Sequence, residues 1–140
     1  MVKKSHQNTS KVSDIPESYQ RYIDGIHNIS RKKKGGWVTN KEIAKSLNVE
    51  PASVSGMLEK LKNKGLIKWE PRKSIRLTEE GKKIARQLNE THSLLHQFFA
   101  EVLKIDDSDI IENLSDEIEH HITRDVKASL EEFLSKYLDG

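Results

Sequence analysis

Two short amphipathic helices separated by about four residues constrain the fold of this chain more than any other feature of its sequence. The first begins with a capping box, in which Thr39 and Glu42 satisfy each other's backbone N–H groups. The second begins at Pro51, a residue favoured in the first helical turn, and keeps a helical apolar period until Gly65 ends it. This spacing predicts a helix-turn-helix, whose second helix typically enters the major groove of DNA.

A basic hairpin follows the helix pair. Residues 66–69 and 75–78 are short β-prone runs, and the turn between them contains Pro71 and the basic residues Arg72 and Lys73. Together with the helix pair, this hairpin predicts a winged helix-turn-helix with a two-stranded wing. The combination is more specific than either part, since an amphipathic helix pair alone is usually ordinary core packing.

Helical patterns flank this unit on both sides. An apolar stripe predicts a first helix from about Glu17 to the basic loop at 31–36, and another predicts a long helix from Thr78 to about Leu103. The acidic segment 105–109 is predicted to be a turn that supplies N-caps, and two or three shorter helices follow, with Ser115 as a cap for the segment through His121. We therefore expect a mainly α protein with a flexible N-terminal arm (1–13), a winged helix-turn-helix DNA-binding domain (14–80) and an α-helical metal-binding and dimerisation domain (81–140).

The charges are divided between the two halves of the chain. Residues 1–89 carry 20 Lys and Arg against 9 Asp and Glu, a net charge of +11, whereas residues 90–140 carry 4 against 13, a net charge of −9. The basic half suits a polyanion, because each phosphate neutralised releases condensed counterions. The acidic half suits cations, although a solvated acidic helix face explains the same charge.

Histidines and carboxylates of the acidic half form a candidate metal site. The chain has no cysteine, so His, Asp and Glu are its strong ligands. On a helix, Asp116, Glu119 and His120 emerge from one face. His92 and His96 of the preceding helix complete such a site if the two helices pack together. Surface ion pairs are the alternative interpretation of this cluster.

In several segments the chain resembles the diphtheria toxin repressor family, most closely its short manganese transport regulators. The resemblance covers residues 17–140. It rests on four segments: Tyr22-Ile23-Asp24-Gly25-Ile26, Ile43–Leu47 through Pro51–Ser55, Leu77-Thr78-Glu79-Glu80-Gly81 and Ile118-Glu119-His120-His121.

The resemblance implies metal ligands at Asp24, His92, Asp116, Glu119 and His120, and a second site at His92, His96 and Glu112. The family's manganese regulators have an aspartate ligand at the position of Arg21, and an arginine cannot coordinate a cation, so either one ion is lost or the remaining ligands and water rearrange. Oxygen at position 116 favours Mn(II), with Fe(II) the next choice. Gly56 stands where relatives carry a longer base-reading side chain.

On the DNA side we expect contacts from both helices of the helix-turn-helix and from the wing. The predicted residues are Thr39, Lys41, Ser53, Ser55, Lys60, Arg72 and Lys73. Serines and lysines at such places mostly contact phosphates, which position a protein on DNA without specifying a sequence.

The sequence therefore predicts a metal-dependent transcriptional regulator, a repressor of metal uptake genes that binds double-stranded DNA as a homodimer. The alternative is a winged-helix regulator of the multiple-antibiotic-resistance type, constitutive or sensing an organic ligand. A metal-dependent hydrolase is disfavoured, since no HExxH helix or glycine-rich phosphate loop is present. We expect no enzyme activity, organic substrate or membrane contact. With no signal peptide or apolar run of about 20 residues, the chain is expected in the cytoplasm.

Overall fold

The structure is a computed structural model that describes residues 15–70 and 74–139. Its elements occur in the order α1, α2, α3, β1, β2, α4, α5 and α6. Their bounds are α1 Glu17–Ser30, α2 Asn40–Leu47, α3 Pro51–Asn63, β1 Ile67–Trp69, β2 Ile75–Leu77, α4 Glu79–Gln97, α5 Ser108–Ile118 and α6 Arg124–Asp139. The mainly α fold with a two-stranded wing is confirmed. The predicted arm and the wing residues Arg72 and Lys73 lie outside the described residues.

The helix-turn-helix consists of α2 and α3, and its ends follow the predicted capping rules. The Thr39 hydroxyl accepts a hydrogen bond from the Glu42 N–H, and the Glu42 carboxylate accepts one from the Thr39 N–H. After α3, Gly65 adopts a φ of +75°, a left-handed conformation that glycine adopts at little cost.

The wing is an antiparallel hairpin in which Ile67 is paired with Leu77 and Trp69 with Ile75. Val38 forms an additional antiparallel bridge to Ile75, so the segment before α2 extends the sheet by one position. Ile67, Ile75 and Leu77 are buried. The inner face of the hairpin therefore packs on the helices.

Most of the core lies in the N-terminal half. In the part of the chain that the structure describes, sixteen buried apolar residues from the segment before α1 to the first half of α4 form one cluster, which includes Ile23, Ile43, Leu58 and Ile84. The second cluster has three buried members, Leu95, Phe99 and Ile111, surrounded by partly buried side chains. The helical half therefore has a small core of its own.

Helix α4 joins the two halves. Its N-cap, Thr78, accepts a hydrogen bond from the Gly81 N–H and donates one to the Gly65 carbonyl. A Cβ at Gly81 would overlap the Leu66 carbonyl oxygen, so this turn requires glycine. After Gln97 the chain continues as a π-helical turn at Phe98–Val102.

The region before the candidate ligands differs in detail from the prediction. Asp107, not Ser115, caps α5, through hydrogen bonds from the N–H groups of Asp109 and Ile110. Ser115 is fully buried inside α5, so its predicted role as a cap is wrong. The α-helix ends at Ile118, and Glu119–His121 form a 3-10 turn.

Candidate metal centre

His92 on α4 lies at the centre of the acidic cluster. Its Nδ1 is 2.8 Å from Glu119 Oε1 and 3.2 Å from Asp116 Oδ1, while its Nε2 is 2.9 Å from Glu112 Oε2. One potential ligand atom each from His92, Glu112 and Asp116 lies within 4.8 Å of the other two. Asp116 and Glu119 are three positions apart near the end of α5, a spacing that places both carboxylates on the side that faces α4. The packing of α4 on α5 that the sequence interpretation required is therefore present.

A cavity of about 440 Å³ opens beside this cluster, between α1 and the helical half. Asp24 of α1 lines it together with Asp116, Glu119 and His120. Four of the five ligands implied by the resemblance thus border one cavity, and Glu119 connects the fifth, His92, to it. His120 Nε2 lies 3.7 Å from Glu119 Oε2, on the other carboxylate oxygen from the one facing His92.

The electrostatics of the cluster are those of crowded anions. Burial and the neighbouring Asp116 raise the pKa of Asp24, and burial, opposed by His92, raises the pKa of Glu119. The pKa of Asp116 is raised as well, chiefly by burial. The hydrogen bond to Glu119 is the main cause that raises the pKa of His92 to about 9, against the effect of burial. A protonated His92 therefore adds a positive charge to this group of carboxylates.

Gln20 orients the ring of His120. The Gln20 side chain is 2% exposed, and its Nε2 donates a hydrogen bond of 2.8 Å to the Ile15 carbonyl. Its Oε1 is consequently the acceptor in the 2.8 Å contact with His120 Nδ1. Burial lowers the pKa of His120, so the ring is neutral and its Nε2 carries a lone pair. That nitrogen is the one available to a metal.

Arg21 borders the same cavity but is engaged by carboxylates. Its Nη2 is 2.6 Å from Glu17 Oε2, one helical turn earlier, and 3.4 Å from Glu117 Oε1 of α5. The guanidinium thus places a positive charge where the manganese regulators are expected to have a ligand, and it bridges α1 and α5 directly.

The predicted second site is only partly assembled. His92 Nε2 is close to Glu112, whereas His96 Nε2 lies 3.8 Å from Glu112 Oε1. The rings of His92 and His96 are 6.5 Å apart between centroids. Glu112 is therefore a direct partner of His92, and one imidazole faces both predicted sites through its two nitrogens.

The donor set of the cluster fits a divalent cation of hard or borderline character. Carboxylate oxygens and imidazole nitrogens suit Mn(II) and Fe(II). Burial is the main cause that raises the pKa values of Asp24 and Glu119, and a cation beside them would lower these values. Which of these residues bind the ion stays a prediction.

The predicted DNA contacts occupy the helix-turn-helix as follows. Lys41, Ser53 and Lys60 are exposed, as is Thr39, whose hydroxyl is engaged in the capping box. Ser55 is partly buried, and its Oγ accepts a hydrogen bond of 3.0 Å from Asn40 Nδ2. Their roles toward DNA stay predictions.

Two structural partners of the site escaped the sequence interpretation. Gln20 could have been suspected, because it is a polar residue beside the apolar stripe of α1 and becomes buried with it. Glu117, the partner of Arg21, carries no such signal, since 70% of its side chain is exposed.

Comparison with known proteins agrees with this architecture. Residues 14–75 match the family described as iron dependent repressor, N-terminal DNA binding domain. Residues 78–138 match the iron dependent repressor metal binding and dimerisation domain.

Relatives match most of the chain. An uncharacterized HTH-type transcriptional regulator of Methanocaldococcus jannaschii is 28% identical over 89% of this chain and 98% of its own. The HTH-type transcriptional regulator MntR of Oceanobacillus iheyensis is 34% identical over 76% of this chain and 69% of its own.

Among solved structures, the manganese regulator SloR superposes with a TM-score of 0.69 at 26% identity and covers 84% of this chain. The present chain spans 53% of SloR, about half of that protein's length. Both family domains are nevertheless matched, one after the other, across the DNA-binding and helical halves described above. The chain therefore belongs to the iron-dependent repressor family, also called the diphtheria toxin repressor family.

Proposed function

We propose that this chain is a metal-dependent transcriptional regulator that represses metal uptake genes by binding its operator when Mn(II) or Fe(II) is bound. The observation that carries the proposal is the origin of the site in both halves of the chain. Asp24 comes from α1 of the DNA-binding half, whereas Asp116, Glu119 and His120 come from the helical half, and all four line one cavity.

The mechanism follows from electrostatic repulsion between two carboxylates, Asp24 of the DNA-binding half and Asp116 of the helical half. Burial and, after it, the charge of Asp116 raise the pKa of Asp24, so that ionising both carboxylates beside the cavity is unfavourable. Asp24 and Asp116 would hold a cation together, and its charge would offset that repulsion and add a second link between α1 and α5 to the Arg21–Glu117 ion pair. With that link the dimer would be restricted to arrangements whose recognition helices match two half-sites. A hundredfold gain in DNA affinity requires a differential metal affinity of about 2.7 kcal/mol, which a few ligands can supply.

Manganese is the favoured metal, with iron next. The candidate ligands are oxygen and imidazole groups, without sulfur. The relative from Oceanobacillus iheyensis is named MntR, and the superposed SloR is a manganese regulator, whereas the family description names iron. Because Arg21 stands at the position of a family ligand, we expect one cation site rather than two.

A homodimer accounts for the apolar surface of the helical half. Large apolar side chains of α5 and α6 remain exposed in the single chain: Ile110, Leu114, Val126, Phe133, Tyr137 and Leu138. The small second core gives this half a reason to bury them against a second copy. The matched family domain is described as a dimerisation domain.

Double-stranded DNA is the proposed partner of the basic half, through Thr39, Lys41, Ser53, Ser55, Lys60, Arg72 and Lys73. None of the described helices has the length and hydropathy required for a membrane span. The relatives named above are transcriptional regulators rather than enzymes. We place the protein in the cytoplasm, where operator DNA is found.

The decisive experiment measures operator affinity by fluorescence anisotropy while Mn(II), Fe(II) or Zn(II) is titrated into the metal-free protein. The probe is DNA from the promoter region of the gene itself. Wild-type affinity should rise about a hundredfold with Mn(II) or Fe(II). His120→Ala should abolish this gain, whereas His121→Ala should keep it, because His121 is the exposed neighbour on the same turn. DNA binding indifferent to every metal and to His120→Ala would favour the multiple-antibiotic-resistance type of regulator instead.

A further inference from the structure

A second cleft, of about 350 Å³, lies between the end of α1, the turn that follows it, β2 and the start of α4. Its walls hold a concentration of cationic side chains. Arg31 comes from the end of α1, Arg76 from β2, and Lys82 and Arg86 from successive turns of α4, with His27 among them. Among the described residues that line this cleft, none carries a carboxylate.

The counter-charges of these cations are few and distant, and the charge of Arg31 acts on Asp24, which lines the other cavity. Within residues 15–70 and 74–139, Arg31, Arg76 and Arg86 form no ion pair, and Lys82 approaches Glu79 only to 3.8 Å. The Arg76 guanidinium stacks over the Trp37 ring, 5.0 Å from its centroid, which fixes its position without neutralising its charge. A cleft of one charge sign concentrates counterions of the opposite sign.

The ring of His27 reports the same field. After burial, the causes that lower its pKa are the positive charges of Arg31, Arg86 and Lys82. All three cations are therefore near one imidazole. Gly35 and Gly36, with φ values of +79° and +71°, also line the cleft and add only backbone to its wall.

We propose that this cleft is a binding site for a phosphate group. Arginine guanidinium groups present paired N–H donors that match phosphate oxygens, and several of them converge here with a lysine and a histidine. The shared chemistry is a tetrahedral oxyanion carrying one or two negative charges. Its source is either free phosphate or a phosphate of the DNA backbone, since the cleft belongs to the basic, DNA-binding half.

The test uses the double variant Arg31→Gln/Arg86→Gln of the full chain. Both side chains are exposed and unpaired within the described residues, so their loss leaves the core intact. The matched control is Arg124→Gln/Lys136→Gln, which removes the same charge from exposed positions of α6. Circular dichroism verifies that both variants fold.

The free-phosphate arm titrates inorganic phosphate into metal-free protein by calorimetry, with chloride holding the ionic strength constant. Saturable binding by wild type and control, weakened tenfold or more in Arg31→Gln/Arg86→Gln, identifies free phosphate as a ligand. In parallel, nuclear magnetic resonance of the His27 ring should show its pKa rising when phosphate is added, because the anion offsets the surrounding cations.

The DNA arm measures the salt dependence of duplex binding with metal present. A lost backbone contact lowers the slope of log affinity against log salt by about 0.9 per chain, which should be seen in Arg31→Gln/Arg86→Gln and not in the control. This arm rests on the DNA-binding function proposed above, whereas the free-phosphate arm does not, so their failures are distinguishable. The proposal is overturned if phosphate binding is absent or equal in all three proteins and the salt slopes are also equal.

Discussion

Metal binding to this chain is expected to release a proton from His92. Both ring nitrogens of His92 face carboxylates, Nδ1 toward Glu119 at 2.8 Å and Nε2 toward Glu112 at 2.9 Å. This arrangement stabilises the imidazolium and raises its pKa to about 9. A metal requires the lone pair of one nitrogen, so the proton must leave before the ion can bind there.

The magnitude follows from the difference between that pKa and the pH. At pH 7 the pKa of His92 lies about two units above the pH, so only about one molecule in a hundred has the neutral ring that a metal needs. Competition with this proton weakens the apparent metal affinity about a hundredfold, or by about 2.7 kcal/mol. Metal affinity should therefore rise about tenfold per pH unit between pH 7 and pH 8.5, from this group alone. The raised pKa values of Asp24 and Glu119 add further proton release toward lower pH.

The folding stability of the metal-free protein should change in the opposite direction. A group whose pKa is raised by folding contributes stability that is fully present below its unfolded value. For His92 this contribution is complete below pH 6.5 and is lost as the pH rises through about 9. Alkaline pH should thus weaken the metal-free fold while it strengthens metal binding.

Calorimetry in two buffers of different ionisation enthalpy counts the released protons directly. We expect about one proton per Mn(II) at pH 7.5, and His121→Gln, which alters the exposed neighbouring ring, should leave that number unchanged. In the metal-free protein, nuclear magnetic resonance should show His92 titrating near pH 9. Titration near pH 6.5, together with no proton release at pH 7.5, would refute the reasoning.

Three further predictions concern single substitutions. Gln20→Met should lower the Mn(II) affinity by about tenfold, because the ring of His120 loses the acceptor that fixes its tautomer. Gln20→Glu, which keeps an acceptor oxygen, should retain most of the wild-type affinity. Equal affinities of the three proteins in calorimetry would argue against this role. Gly81→Ala should cost about 3 kcal/mol or more in urea unfolding through overlap with a backbone carbonyl, whereas Gly56→Ala, with open space around it, should stabilise α3 by up to about 1 kcal/mol. Arg21→Asp should raise the number of Mn(II) ions per chain from one to two in native mass spectrometry, because it replaces a cation in the cavity with a ligand; an unchanged number contradicts the assignment.

The elements of the fold were largely predictable because their end signals are local. The capping box at Thr39, the proline that opens α3 and the glycine after it depend on residues within one turn of each other. Ser115 misled the prediction because serine is a good cap only where backbone N–H groups are free. In the structure the free N–H groups belong to the first turn of α5, where the Asp107 side chain accepts their hydrogen bonds.

The candidate site was predictable in its composition and less so in its geometry. Periodicity places Asp116 and Glu119 toward one side, but the sequence does not show that His92 contacts Glu112 through its second nitrogen. The Gln20 contact with His120 spans 100 residues and depends on how α1 packs against the turn after α5. Such long-range contacts arise from tertiary packing, which no local pattern records.

The tight turn at Gly81 has a consequence for building hybrid regulators. A natural junction for exchanging helical halves between relatives lies after Glu80, where the proposed DNA-binding domain ends. The first residue of the grafted half then sits against the Leu66 carbonyl and has no room for a Cβ. A grafted helical half that begins with any residue other than glycine would push the start of α4 away from the wing. Helix α4 is about 28 Å long, so a small tilt at that end would displace His92 from the carboxylates it faces. A hybrid protein built to change the metal specificity therefore depends on one glycine far from the candidate metal site.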